Sequence, residues 1–158
     1  MLYIQDQSGA YFPAPKETVL SEARRLSSYQ IRRGVFIRSS DVAKDAIRHK
    51  LDSHECEMFA CLFLDSKHRV LAWVEMFRGS VGCATVHPRE VVKAALQLNA
   101  AAIILAHNHP SGDSKPSDQD IELTDKLKNI LQVIDVRVLD HLVVGDEVTA
   151  FSDLGLLS

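Results

Sequence analysis

One stretch of sequence decides how the rest of this chain is interpreted: His107-Asn108-His109-Pro110-Ser111-Gly112-Asp113-Ser114-Lys115-Pro116-Ser117-Asp118-Gln119-Asp120. The apolar run at residues 100–106 comes directly before it and has the length of a buried strand. Successive side chains on a strand alternate between its faces, so His107 and His109 are expected to point the same way, roughly 6.5 Å apart.

The end of the same stretch supplies a third polar side chain. A loop containing glycine and proline is followed by Ser117-x-x-Asp120, which opens an apparent helix. Zinc takes histidine nitrogens at about 2.0–2.1 Å, and a catalytic zinc keeps one position open for water beside three protein ligands. The pattern therefore predicts a zinc site formed by His107, His109 and Asp120.

The same residues also fit an interpretation without metal. A histidine beside an apolar strand is commonly a hydrogen-bonded structural residue. Ser117 is suited to the N-cap of a helix, and Asp120 to its first turn, where the helix dipole favours negative charge. The two interpretations are compatible, because capping by Ser117 would aim Asp120 toward the histidines.

Beyond this stretch, the sequence resembles a known family. His-x-His-Pro, six residues and then Ser-x-x-Asp matches the motif of JAMM (MPN-plus) metalloproteases. Over roughly residues 39–156 the chain is similar to the bacterial RadC family, through Val86-His87-Pro88-Arg89-Glu90, Asn99-Ala100-Ala101-Ala102, residues 107–113 and Asp140-His141-Leu142-Val143-Val144-Gly145. It resembles the short form, without the helix-hairpin-helix-like region of longer RadC proteins.

The resemblance implies an MPN-type, cytidine-deaminase-like fold and a zinc-dependent hydrolase of peptide or isopeptide bonds. In JAMM enzymes a glutamate from an earlier strand acts as general base. Glu75 is the first candidate, because it is an acid within an otherwise apolar strand, although an outward-facing position would explain it equally. Glu57 and Glu90 are substitutes. By the same analogy, Ser117 would donate a hydrogen bond to the oxyanion, in addition to or instead of capping a helix.

Hydrophobic periodicity predicts an α/β fold in which a mixed sheet is sandwiched by helices. The N-terminal part, residues 1–38, is expected to be a loosely ordered arm (residues 1–15) and a helix, followed by the RadC-like JAMM domain at residues 39–158. The predicted helices are 16–33, 41–51, 88–98 and one starting at 117. The predicted strands are 57–64, 70–77, 101–106, 136–144 and 147–151.

Composition fits a single compact domain of 158 residues, 46% hydrophobic and 25% charged. No apolar run approaches the roughly 20 residues of a membrane span, and no signal-peptide pattern is present. Three cysteines without a Cys-x-x-Cys pair favour free thiols in a reducing cytoplasm. The net charge of −3 argues against a general DNA-coating protein.

Three functional hypotheses follow from the sequence. The first is the zinc hydrolase acting on a protein or peptide substrate. The second is a DNA-repair-associated factor or nuclease, and the third is a non-catalytic interaction domain stabilised by metal. The C-terminal edge strand and the apolar end of the chain would support a homodimer. His141 is interpreted as a structural histidine bonded to a carbonyl group, and Asn108 as loop scaffolding.

Overall fold

The computed structural model describes residues 1–79 and 84–157. A five-stranded sheet forms its centre, with β5 and β6 parallel and all other neighbours antiparallel, in the order β4-β3-β5-β6-β7. In chain order the elements are β1 (Tyr3–Gln5), β2 (Tyr11–Pro13), α1 (Lys16–Gln30), α2 (Ser40–Leu51), β3 (Met58–Leu64), β4 (Val70–Arg78), α3 (Pro88–Gln97), β5 (Ala102–Asn108), α4 (Asp118–Val133), β6 (Arg137–Val144) and β7 (Val148–Ala150). The predicted mixed α/β fold is confirmed.

Helices cover both faces of the sheet. Every residue of β3 and of β5 is buried, which explains why these strands are continuous apolar runs without alternation. One face packs against α2 through Ala46 and Ile47. The other face packs against α3 and α4 through Val91 and Leu127. Each face therefore has its own apolar core, and a strand residue belongs to one core or the other.

The parallel pairing of β5 with β6 fixes the position of α4. Two parallel strands cannot be joined by a tight turn and need a crossover connection, which α4 provides here. As a result, the chain leaves β5 at Asn108, and α4 begins at Asp118 near the same end of the sheet. The polar residues that follow β5 are thus brought to the start of the crossover helix.

The structure differs from the sequence-based expectations near the N-terminus. Residues 1–15 were expected to form a loose arm, but β1 and β2 pair as an antiparallel hairpin. The Asp6 carboxylate organises its turn by accepting hydrogen bonds from the backbone N–H groups of Ser8 and Ala10. Gly9 adopts a left-handed φ of +88°, which glycine tolerates without strain. Helix α1 ends at Gln30, three residues before the predicted end.

Other expectations concern single residues. The helical spacing of Val91, Ala95 and Leu96 predicts that Leu96 is buried on α3, but it is 59% exposed. Cys56 and Cys61 are free thiols, as predicted, and burial raises the pKa of the Cys61 thiol. Gly79 and Gly82 predict an irregular passage between β4 and α3, but Gly82, like Cys83, lies outside the described residues. Among the described residues, no helix combines the length and apolar character needed to cross a bilayer.

The burial of the two cores predicts a contrast between two leucines. Leu131 on α4 is fully buried, whereas Leu96 on α3 is 59% exposed. We expect Leu131→Ala to lower the free energy of unfolding by about 2–5 kcal/mol, because it leaves a cavity. Leu96→Ala is the matched control and should cost less than about 1 kcal/mol. Urea unfolding followed by circular dichroism measures both; equal losses would contradict this assignment of the core.

Candidate metal centre

The end of β5 places consecutive side chains on opposite faces of the sheet. His107 is 1% exposed and lies on the face that packs against α3 and α4, where its ring stacks on Phe59. Asn108 points to the other side, where its Oδ1 accepts a hydrogen bond of 2.7 Å from the Met58 N–H and its Nδ2 donates to the Cys56 carbonyl. Asn108 therefore ties the end of β5 to the start of β3, in line with its interpretation as scaffolding.

The loop after β5 orients His109. The His109 Nδ1 atom lies 2.7 Å from the Asp113 carbonyl oxygen. A carbonyl oxygen can only accept, so Nδ1 carries the proton and Nε2 of the neutral ring offers a lone pair. The loop is closed against Gly145: the Gly112 carbonyl accepts a hydrogen bond from the Asp146 N–H. A Cβ atom at Gly145 would lie 2.3 Å from the Gly112 oxygen, so the close approach requires glycine.

A reciprocal capping box at the start of α4 positions Asp120. The Ser117 Oγ atom accepts a hydrogen bond of 3.1 Å from the Asp120 N–H, and Asp120 Oδ2 accepts one of 2.8 Å from the Ser117 N–H. This arrangement satisfies two N–H groups that the helix itself leaves without partners. It also restricts the carboxylate to one orientation, with its side chain only 13% exposed.

Three side chains converge at this point. The Nε2 atoms of His107 and His109 are 2.9 Å apart, and Asp120 oxygens lie 3.2 Å from the first and 3.3 Å from the second. Ligands held tetrahedrally by zinc at about 2.0–2.1 Å are separated by roughly 3.3 Å. The three donor atoms therefore have the spacing and chemistry of a zinc ligand set. Within residues 1–79 and 84–157, this is the one cluster of three or more groups able to hold a metal.

The electrostatics of the cluster favour a cation. Burial opposes ionisation of Asp120, but hydrogen bonds and charge from the protonated forms of His107 and His109 outweigh it and hold the pKa of this carboxyl far below its usual range. The hydrogen bond to Asp120 raises the pKa of His109, against the opposing effect of burial, and the nearby charge of Glu57 contributes to the increase. Asp120 is thus a carboxylate that faces two imidazoles and attracts positive charge.

The structure does not bring Glu75 to this cluster. Glu75 is exposed, and its carboxylate lies 3.1 Å from Nε2 of His54. Its partner in β3 is Ala60, which belongs to the core on the α2 side. The pairing of β3 with β4 has two register shifts, one between Phe59 and Ala60 and one between Phe63 and Leu64. Each shift changes which side chains share a face of the sheet, and the resulting register places Glu75 opposite Ala60.

Glu57 is the second glutamate that the sequence offered as a candidate. It directly precedes β3, and its carbonyl accepts a hydrogen bond from the Gly79 N–H, which continues the pairing with β4. Glu57 lies two residues before Phe59, whose ring packs on His107, and the alternation of strand side chains predicts the same face for it. The third candidate, Glu90, lies in the first turn of α3, in the position expected for a partner of the helix dipole.

His141 has a different role from the one expected. It does not bond a neighbouring carbonyl: its Nε2 lies 2.8 Å from His107 Nδ1, and its Nδ1 lies 2.6 Å from Thr124 Oγ1. Burial lowers the pKa of this fully buried imidazole well below its usual range. Two features of the sequence could have predicted these contacts of His141. One is a polar residue within the apolar strand β6, and the other is a threonine four positions after Asp120 on the same helix face.

Together, the fold and the cluster define an α/β protein with a candidate site for a single metal ion at the end of a central strand. A family model described as "RadC-like JAB domain" matches residues 37–156. Because this match spans most of the chain, the protein belongs to the RadC family and carries a RadC-like JAB domain. The resemblance noted in the sequence is thereby confirmed.

Three bacterial relatives, each named UPF0758 protein, align over most of the chain. The relative from Thioalkalivibrio sulfidiphilus is 49% identical over 91% of this chain and 65% of its own length. One from Vibrio cholerae is 48% identical over 88% of both chains. One from Shewanella amazonensis is 48% identical over 84% of this chain and 60% of its own length. The chain thus spans less than two thirds of the first and third relatives. None of these names states an activity.

The contact between Gly145 and Gly112 predicts a loss of metal retention on substitution. Gly145→Ala places a methyl group against backbone atoms and should cost about 1–3 kcal/mol while displacing the loop that orients His109. Gly155→Ala is a control, because its φ of +68° strains alanine but no atom lies within 4 Å. We expect metal content after dialysis, measured by mass spectrometry, to fall only in Gly145→Ala. Unchanged metal content would contradict this role of the loop.

Proposed function

We propose that this protein is a zinc-dependent hydrolase of the JAMM type that cleaves peptide or isopeptide bonds. The observation that carries the proposal is the convergence of His107, His109 and Asp120, whose donor atoms lie 2.9–3.3 Å apart. A divalent metal held there supplies Lewis-acid polarisation of a carbonyl group and lowers the pKa of water. The match to a RadC-like JAB domain supports the same class of chemistry.

Glu57 is the proposed general base. It is half-buried, and strand alternation predicts that it lies on the same face of the sheet as His107. It also lies close enough to His109 for its charge to act on that imidazole. A carboxylate in this position can take a proton from attacking water and return it to the leaving amine. Glu75 was the first choice from the sequence, but its contact with His54 and its position on the other face of the sheet favour Glu57.

Ser117 is proposed to act on the substrate carbonyl while it caps α4. Its Oγ atom accepts a hydrogen bond from the Asp120 N–H, which leaves the hydroxyl proton free to donate another. Ser117 is exposed, so a substrate can reach it. A donor in this place stabilises the negative charge that develops on the carbonyl oxygen as the tetrahedral intermediate forms.

Metal binding is tested by substituting, one at a time, two aspartates of the same helical turn. Asp120 belongs to the cluster, whereas Asp118 is exposed two residues earlier. We expect about one zinc per chain in the wild-type protein and in Asp118→Asn, because Asp118 is not one of the three converging side chains. Asp120→Asn should lower the affinity for zinc at least tenfold, measured by competition with a chelator. Absence of stoichiometric zinc from the wild-type protein would overturn the proposed function.

The identity of the base is tested by a pair of glutamine variants. Glu57→Gln should retain zinc and lose hydrolysis by about 10²–10⁴-fold, the usual contribution of general acid–base catalysis. Glu75→Gln should retain both zinc and activity. Activity is measured on a library of fluorogenic peptides and on isopeptide-linked protein conjugates. The reverse pattern would assign the base to Glu75, and loss of activity in neither variant would exclude both glutamates.

A further inference from the structure

His141 is fully buried and packs against aromatic rings. It is 0% exposed, stacks on Phe151 with ring centres 4.6 Å apart, and meets the edge of Phe59 at 5.8 Å. Both of its ring nitrogens nevertheless have polar partners, His107 Nδ1 on one side and Thr124 Oγ1 on the other. Because no solvent competes, the direction of each hydrogen bond is determined by the donors and acceptors in this chain.

The direction is fixed first at Thr124. Its Oγ1 lies 2.6 Å from the backbone carbonyl oxygen of Asp120 and 2.6 Å from His141 Nδ1. A hydroxyl has one proton, and a carbonyl oxygen can only accept. Both short contacts are satisfied only if Thr124 donates to Asp120 and accepts from His141. The Nδ1 atom of His141 therefore carries a proton.

The next bond follows from the charge of His141. A doubly protonated imidazole would be a cation without exposure to water between two phenylalanine rings, which is costly. In the neutral ring, with Nδ1 protonated, Nε2 is an acceptor. The partner 2.8 Å away, His107 Nδ1, must then donate. In the neutral His107 ring, this leaves the Nε2 lone pair directed into the cluster with His109 and Asp120.

We propose that His141 and Thr124 are positioning residues that set the tautomer of His107 through one directed chain of hydrogen bonds. The chain runs from His107 Nδ1–H to His141, from His141 Nδ1–H to Thr124, and from the Thr124 hydroxyl to the carbonyl of Asp120. The inference rests on the proposed metal site, because the lone pair matters only if His107 is a ligand.

This series of hydrogen bonds joins two proposed ligands that come from different elements. It begins at His107 on β5 and ends at Asp120 on α4. A shift of α4 relative to the sheet would therefore disturb the orientation of His107. His109 is set independently by the Asp113 carbonyl. Each imidazole thus has its own partner that leaves Nε2 unprotonated, which is the state a metal requires.

Two variants of Thr124 provide the test. Thr124→Val keeps the shape of the side chain but removes the hydroxyl, so His141 loses the acceptor that holds the proton on its Nδ1. Thr124→Ser retains the hydroxyl and is the matched control. We expect Thr124→Val to weaken zinc binding roughly 10- to 100-fold, the usual effect of removing an outer partner of a ligand, and Thr124→Ser to stay near wild type. Affinity is measured with zinc alone, against a chelator.

A spectroscopic measurement on the wild-type protein covers the case in which Thr124→Val does not fold. Nitrogen-15 NMR of the imidazoles, recorded without and with zinc, should show His141 neutral with its proton on Nδ1. A proton on Nε2 of His141 would overturn the inference whatever the variants do. In Thr124→Val the same spectra should show His141 leaving this tautomer, an effect that a purely structural loss would not produce.

The outcomes separate the two proposals. If the wild-type protein binds no zinc, the proposed function fails, and the tautomer of His141 still decides whether the directed chain exists. If the wild-type protein binds zinc and both Thr124 variants bind it equally well, the metal site stands and the positioning role is overturned. Weaker binding in Thr124→Val alone, together with the changed tautomer, supports the inference.

Discussion

The capping box between Ser117 and Asp120 is the interaction on which the rest of the candidate site depends. It gives α4 a defined start and at the same time fixes the carboxylate that meets His107 and His109. Helix capping and ligand placement are thus performed by the same hydrogen bonds. The helix N-terminus also stabilises the negative charge of Asp120. The same carboxylate therefore serves the start of the helix and would serve a metal ion.

The sheet supplies the fixed half of the site. Strand β5 is buried along its whole length, and its last residues are anchored by Asn108 to the start of β3. The parallel partner β6 places His141 behind His107, while the aromatic rings of Phe59 and Phe151 exclude water. A polar chain in such surroundings is stable only when every member has a partner, and here both nitrogens of His141 do.

Much of this arrangement could be predicted from local sequence. The central strands, the three later helices and the convergence of His107, His109 and Asp120 follow from apolar runs, capping signals and a short connecting loop. The errors have specific causes. Leu96 fits a helical stripe, but α3 packs only its Val91 side against the core. The N-terminal hairpin depends on the turn around Asp6, which apolar periodicity does not report.

The sequence by itself determined the family, the order of the elements from α1 onward and the three converging side chains, because these are encoded within short segments and one loop. Only the tertiary structure decided that Glu75 lies away from the cluster and what His141 contacts. The first depends on the register between β3 and β4, which places Glu75 opposite Ala60, on the side of the sheet away from His107. The second depends on parallel pairing of β5 and β6 with α4 packed across them. Both are long-range relations between strands, and residue spacing along the chain does not contain them.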